Sequence, residues 1–83
     1  MDKKDLVGKV IHYYDKIEVA VIKLGKGLKV GDKVKFEKKD VSFEQVIESM
    51  QLEHKQVASG KKGEEIAVKV DQVAKDGFGV YKM

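Results

Sequence analysis

The chain has 83 residues, with 17 basic and 14 acidic side chains and a formal net charge of +3 at pH 7. This length fits a single domain over residues 1–83 and excludes a second one. Hydrophobic residues make up 42% of the chain, enough for it to fold unaided, and cysteine is absent. Disulfides, thiolate metal sites and thiol nucleophiles are therefore excluded. All the basic residues are lysines, which contact phosphate as point charges rather than reading bases with the rigid fork of arginine.

The chain opens on charged residues, and we expect residues 1–6 to form a flexible lead-in. They lack the apolar stretch of a secretory signal, and no apolar run approaches the roughly 20 residues of a membrane span. The expected location is therefore the cytoplasm, with no membrane partner.

Residues 7–14 and 17–24 are the first two predicted strands, because β-branched and aromatic residues dominate both. A tight hairpin at residues 15–16 would make the two strands antiparallel. Apolar residues occupy both faces of the second segment, which predicts a central strand that changes its exposed face at a bulge. By alternation, either Tyr13 or Tyr14 must face solvent.

The stretch LKVGDKVKF at residues 28–36 predicts a turn that leads into a third strand. Gly31 can take the positive φ of a tight turn, and Asp32 can accept hydrogen bonds from nearby backbone. Apolar residues then alternate with Lys33 and Lys35, so that one face is buried and the other solvated. Glycine-led turns recur before the last two predicted strands, and such turns between short strands are typical of a small β-barrel.

Residues 41–54 allow two interpretations. Glu, Gln, Met and Leu favour a helix, and apolar residues recur at positions 43, 46, 47 and 50, as on one helical face. Some of the apolar residues also share strand parity, and strands surround the segment on both sides. Residues 55–62 are predicted to be a loop anchored by Val57.

No catalytic constellation is visible. The two histidines and the scattered acidic residues show no metal-ligand spacing and no paired carboxylates, and the three serines have no base partner. The stretch SGKKG at residues 59–63 lacks the spacing and the hydroxyl of a phosphate-binding loop. We therefore expect a non-enzymatic chain without metal or cofactor.

Three stretches together carry a family resemblance. Residues 28–34 match the motif L-x-x-G-D-x-V, residues 47–54 are similar to V-x-S-I-E-M-x-x, and residues 57–67 are similar to V-x-x-A-x-x-G-D-x-V-G, with substitutions in the last two stretches. In order and spacing they resemble the second domain of translational GTPases of the elongation factor Tu family, especially its archaeal and eukaryotic branch. The resemblance implies an all-β fold, a small closed antiparallel β-barrel of six to seven strands, with residues 43–54 as a strand.

The same resemblance implies a role in translation, with contacts to tRNA, rRNA or a ribosome-linked protein. Gln51 matches a glutamate near the terminal adenosine of tRNA, and His54 matches a basic or histidine position. The family's GTP-binding domain is absent, so GTP binding is not implied. The candidate RNA interface consists of Gln51, His54, Lys55, Lys33, Lys35, Lys61 and Lys62.

An alternative is a protein-interaction subunit. The predicted barrel also resembles the C-terminal appendage of a collagenase-like peptidase family, some members of which act on ribosomal RNA. The chain would then supply that barrel in trans, or replace a missing domain of a GTPase. Leu52, Val57 or exposed residues of the second strand would make the contact.

Overall fold

The structure, a computed structural model, describes residues 6–83. Most of the predicted lead-in at residues 1–6 therefore lies outside the described residues, and Leu6 already belongs to the first strand. The described chain is all-β, as expected, and contains no helix. Its strands are β1 (Leu6–Tyr14), β2 (Val19–Leu24), β3 (Leu28–Lys29), β4 (Lys33–Lys38), β5 (Val41–Val46), β6 (Met50–Leu52), β7 (Lys55–Val57), β8 (Ser59–Gly60), β9 (Glu65–Lys69) and β10 (Gly79–Lys82).

The strands form an eight-stranded antiparallel sheet in the order β5-β4-β10-β1-β2-β9-β6-β7, and β3 pairs separately with β8. The predicted closed barrel of six to seven strands is therefore wrong, because β5 and β7 are open edges of the large sheet. The physical reason lies in residues 47–49. They interrupt the segment 41–54 and direct its second half to the opposite side of the sheet, so that β5 pairs with β4, β6 pairs with β9, and β5 and β6 do not pair with each other.

The predicted strands are otherwise close to those observed. The first two strands form the expected hairpin, but its turn spans residues 15–18, with Glu18 at a φ of 57°. The bulge lies in β1, between Val10 and His12, rather than in β2. The segment 41–54 adopts the strand interpretation, and the predicted loop at 55–62 contains the short strands β7 and β8.

The sheet curls around one apolar core, in which the rings of Phe36 and Phe43 stack with centroids 4.9 Å apart. Gln45 on β5 reaches across this core to the far end of β9. Its Nε2 donates to the carbonyl of Lys69 at 3.0 Å, and its Oε1 accepts from the amide of Asp71 at 2.8 Å. Because four strands separate β5 from β9 in the sheet order, this buried amide joins the two sides of the curl.

The turn before β4 forms as its residues predict. Gly31 has a φ of 100°, and the amide of Asp32 donates to the carbonyl of Lys29 at 3.1 Å. The carboxylate of Asp32 accepts in return from the amide of Lys29 at 3.1 Å. This reciprocal pair holds the entry to β4 in place. No helix long and apolar enough to cross a membrane occurs in residues 6–83.

Candidate functional site

A groove crosses the outer face of the sheet over the neighbouring strands β1, β2, β9 and β6, with a volume of about 570 Å³. In the sheet register, Val21 on β2 lies opposite Ala67 on β9, which lies opposite Gln51 on β6. Tyr14 and Leu52 add apolar groups to a floor that includes the exposed amide of Gln51, and Leu52 also packs partly buried against the core. We call this surface the outer groove.

The first wall of the outer groove is the hairpin between β6 and β7. Leu52 pairs with Lys55, which leaves a two-residue loop, and its residues Glu53 and His54 have φ angles of 53° and 68°. A turn with two positive φ angles normally carries Asn-Gly, because other side chains are strained there. The local sequence therefore keeps two bulky polar side chains at a position where glycine would be more stable.

The second wall is the turn before β9, built like the turn before β4. Gly63 has a φ of 90°, and the amide of Glu64 donates to the carbonyl of Lys61 at 3.1 Å. One carboxylate oxygen of Glu64 accepts from the amide of Lys61 at 2.8 Å. This wall is therefore fixed by the same reciprocal bonding, and Glu65 follows it at the groove edge.

One end of the groove is formed by Tyr14. Its ring lies against that of His12, with centroids 4.3 Å apart and planes tilted by 60°. Tyr13, by contrast, packs partly buried against the core. The prediction that one of the two tyrosines faces outward is confirmed, and the exposed one belongs to the groove.

The outer groove is acidic. Glu53, Glu64 and Glu65 line it, together with His54, and the lining includes no lysine. Lys23 lies opposite Glu65 in the register of β2 and β9 and offsets part of this charge. In the described part of the chain, none of the three carboxylates makes an ion pair. Their negative potential is therefore open to a ligand.

The structure separates the residues predicted to form one interface. Gln51 and His54 line the groove together, as an RNA-end pocket would require, and Lys55 follows His54 on β7. Lys61 and Lys62 lie in the turn before Gly63. Lys33 and Lys35, however, lie on β4, and four strands separate β4 from β6.

Leu52, predicted as a candidate protein contact, lines the groove, and so does the partly exposed Val21 of the second strand. Val57 is partly buried against the core. The sequence reasoning missed the glutamates at positions 53, 64 and 65 as members of the site. They are close in space because β6 and β9 are sheet neighbours, and no spacing in the sequence reveals this pairing.

A second outer surface lies over β5, β4, β10 and β1. Lys33 is opposite Val46, while Lys35 is opposite Tyr81, which in turn is opposite Leu6. We call this surface the lysine face. Leu6 and Val46 are among the exposed large apolar residues of the chain. The lysine face thus combines exposed apolar groups with Lys33 and Lys35, whose charge is partly offset by Glu44, paired with Lys33 and opposite Lys35. The groove instead combines apolar groups with negative charge.

Among the described residues, no group of three or more His, Asp or Glu side chains is placed to hold a metal ion. The arrangement of the groove is suited to binding through apolar contact and charge.

No protein-family model matches the chain. Over 80 residues, or 95% of this chain, it is 39% identical to a protein of Methanocaldococcus jannaschii named Uncharacterized protease MJ0090. The match takes in 20% of that protein, so the chain spans about a fifth of the length of the curated relative.

Two solved structures share the fold. One is the C-terminal domain of a putative U32 peptidase of Geobacillus thermoleovorans, with a TM-score of 0.89, 20% identity, and coverage of 100% of this chain and 97% of that chain. The selenomethionine variant of the same domain gives a TM-score of 0.86 at 21% identity, with coverage of 93% and 98%. At this identity the likeness concerns the fold.

These similarities correct the predicted family. Over nearly its full length the chain is similar to a protease and shares the fold of a peptidase C-terminal domain, rather than of the second domain of a translational GTPase. The translation-factor family and the RNA-binding role are therefore wrong, and a partner from the translation machinery is unsupported. The short motifs misled because Gly-Asp and Gly-Glu turns before alternating strands are features of many small β-domains.

Proposed function

We propose that the chain is a non-catalytic accessory module of a collagenase-like peptidase, and that it acts by contacting the catalytic portion of that protein. The observation that carries this proposal is the 39% identity over 95% of the chain to a protein named as a protease. Since that match takes in only 20% of the relative, the residues that cut a substrate would lie in the remaining part.

The match to an isolated C-terminal domain supports a module that folds as a separate unit. The match covers 97% of the solved domain and all of this chain. The core is a single cluster within the chain, so the module needs no partner to bury its apolar residues. A partner would therefore bind to the surface of the module rather than complete its core.

The lysine face is the surface that we propose for this contact. Val46 is 45% exposed at the edge strand β5, and Leu6 is 41% exposed on β1. A sheet edge beside exposed apolar residues is a favourable place for another chain to pack or to add a strand. Lys33 and Lys35 between them would favour an acidic patch on the catalytic portion.

The test uses the collagenase-like peptidase from the same genome as this chain, produced without any segment that matches it. Purified chain and peptidase are mixed and analysed by size-exclusion chromatography with light scattering. We expect a complex with one copy of each protein, and a change in peptidase activity when the chain is added. The chain alone should cleave no protein substrate.

A matched pair of variants locates the contact. Val46→Lys places a charge on the lysine face and should weaken the complex at least tenfold. Val73→Lys places the same charge at a valine that is 53% exposed in the connection between β9 and β10, and it should leave the complex intact. No complex with either wild-type or control chain would refute the proposed function, whereas equal weakening by both variants would refute only the assigned surface.

A further inference from the structure

We infer that the outer groove is a binding site for an extended peptide segment that carries lysine or arginine two positions away from an apolar residue. This inference goes beyond the accessory role, because it concerns a site on this chain alone and needs no catalytic partner. It rests on the shape, the floor and the charge of the groove.

The shape fits a short extended segment. Three strand spacings separate β1 from β6, or about 14 Å at roughly 4.8 Å each. An extended chain advances about 3.3 Å per residue, so this width accommodates four or five residues. The groove volume of about 570 Å³ lies within the usual range of ligand sites.

The floor selects an apolar side chain at the centre. Val21, Leu52 and Ala67 are all only partly buried by the chain itself. Tyr14, held against His12 at one end, adds an aromatic face that can pack on an aliphatic side chain or on the stem of a lysine. A peptide segment bound here would cover apolar surface that is otherwise exposed to solvent.

The rim selects positive charge. Glu53, Glu64 and Glu65 all line the groove, and Glu53 and Glu65 lie at the same end of the antiparallel strands β6 and β9, two residues beyond the register pair of Gln51 and Ala67. An apolar side chain on the floor would therefore place a residue two positions away, on the same side of an extended peptide, near this cluster of carboxylates. An anionic ligand such as RNA would meet the same three carboxylates and be repelled.

The backbone of the two turns, and the side chain of Glu64, are positioned before any ligand arrives. Glu53 and His54 occupy a tight turn with two positive φ angles, and Glu64 is bonded to the backbone of its own turn. Groups already fixed in place lose less conformational entropy on binding than mobile ones do. The groove therefore resembles a formed site rather than one created by its ligand.

The test is a titration of the whole chain with a fluorescent peptide of sequence Gly-Lys-Ser-Leu-Ser-Lys-Gly, followed by anisotropy. Two comparison peptides replace both lysines with glutamate, or the leucine with serine. We expect the lysine peptide to bind at least tenfold more tightly than the glutamate peptide. Its affinity should fall as salt is raised from low to physiological concentration, because surface charges are screened.

Variants of the chain test whether the peptide binds in the outer groove. Replacing Glu53 and Glu65 together with glutamine removes two charges at constant shape and should weaken binding about fivefold to tenfold. Glu44→Gln, which alters an exposed glutamate paired with Lys33 on the lysine face, is the matched control and should leave affinity unchanged. Amide chemical shifts of residues 51–54 and 64–67 should move on titration in the wild-type chain.

Several outcomes would overturn this inference. They are equal binding of the lysine and glutamate peptides, shift changes confined to other strands, or tighter binding of a short single-stranded RNA at the groove. None of them bears on the accessory role, which is measured with the peptidase. Conversely, the peptide result stands if no peptidase complex forms.

Discussion

Two glutamines on opposite surfaces of the sheet show how the chain divides its polar residues. Gln45 is 7% exposed, and both ends of its amide bond to the backbone of residues 69 and 71. Gln51 is exposed on the floor of the outer groove. A glutamine on the inner side thus stabilises the fold, whereas a glutamine on the outer side is available to a ligand. The inner surface therefore contributes more to stability than the exposed side chain of Gln51 on the groove floor does.

The largest expected change in the free energy of unfolding is that of Gln45→Ala, and Gln51→Ala is its comparison. Gln45→Ala would leave the Lys69 carbonyl and the Asp71 amide without their partners, and it should lower the free energy of unfolding by about 2–4 kcal/mol. Gln51→Ala should change it by less than about 0.5 kcal/mol. Thermal unfolding measures both, at about 4–8 °C per kcal/mol for a domain of this size. Similar shifts in melting temperature for the two variants would show that the inner glutamine contributes no more to stability than the outer one.

The second comparison uses two glycines. A Cβ on Gly60 would come within 2.6 Å of Leu24 Cδ1 and 2.8 Å of Ile66 Cγ1, whereas one on Gly25 would meet nothing closer than 3.7 Å. Gly60→Ala should therefore cost about 1–3 kcal/mol through overpacking. Gly25→Ala should cost less than about 1 kcal/mol. Urea unfolding of both variants checks the difference. A Gly60→Ala variant as stable as wild type would mean that the surrounding core side chains can move to accept the added methyl group.

The contrast between the two surfaces also explains what the sequence predicts well. Alternation and β-branched residues are local signals, so β1 and β2 are predicted close to their observed bounds. The turn at Gly31 was predicted because a positive φ and a neighbouring carboxylate have local causes. The closed barrel was wrong because closure depends on where residues 47–49 direct the chain, which no local pattern records.

The groove was predicted only in part, for the same reason. Gln51 and His54 are three residues apart, and their hairpin brings them to one site. Tyr14, Val21 and Glu64 come from separate segments that meet only through the sheet order. The negative charge of the groove, from Glu53, Glu64 and Glu65, is also hidden in the composition, since the whole chain carries a net charge of +3.

A third prediction concerns the strained hairpin on the groove wall. Replacing Glu53 with asparagine and His54 with glycine should relieve two positive-φ strains and raise the free energy of unfolding by about 1–2 kcal/mol. The same change removes a carboxylate and a ring from the rim, so affinity for the lysine peptide should fall. Thermal unfolding and the anisotropy titration measure the two effects on one protein. If both stability and affinity rose together, strain at this turn would have no link to binding.

The smallest effect is expected on the lysine face. Lys33 and Glu44 form an ion pair at 3.8 Å, but their side chains remain 56% and 45% exposed. Such pairs are screened by solvent, so Lys33→Gln should change the free energy of unfolding by less than about 0.5 kcal/mol. If the lysine face contacts an acidic patch on the peptidase, the same substitution should weaken that complex measurably more at low salt than at high salt. A loss of stability without any change in the complex would make Lys33 a structural residue and would remove it from the proposed contact.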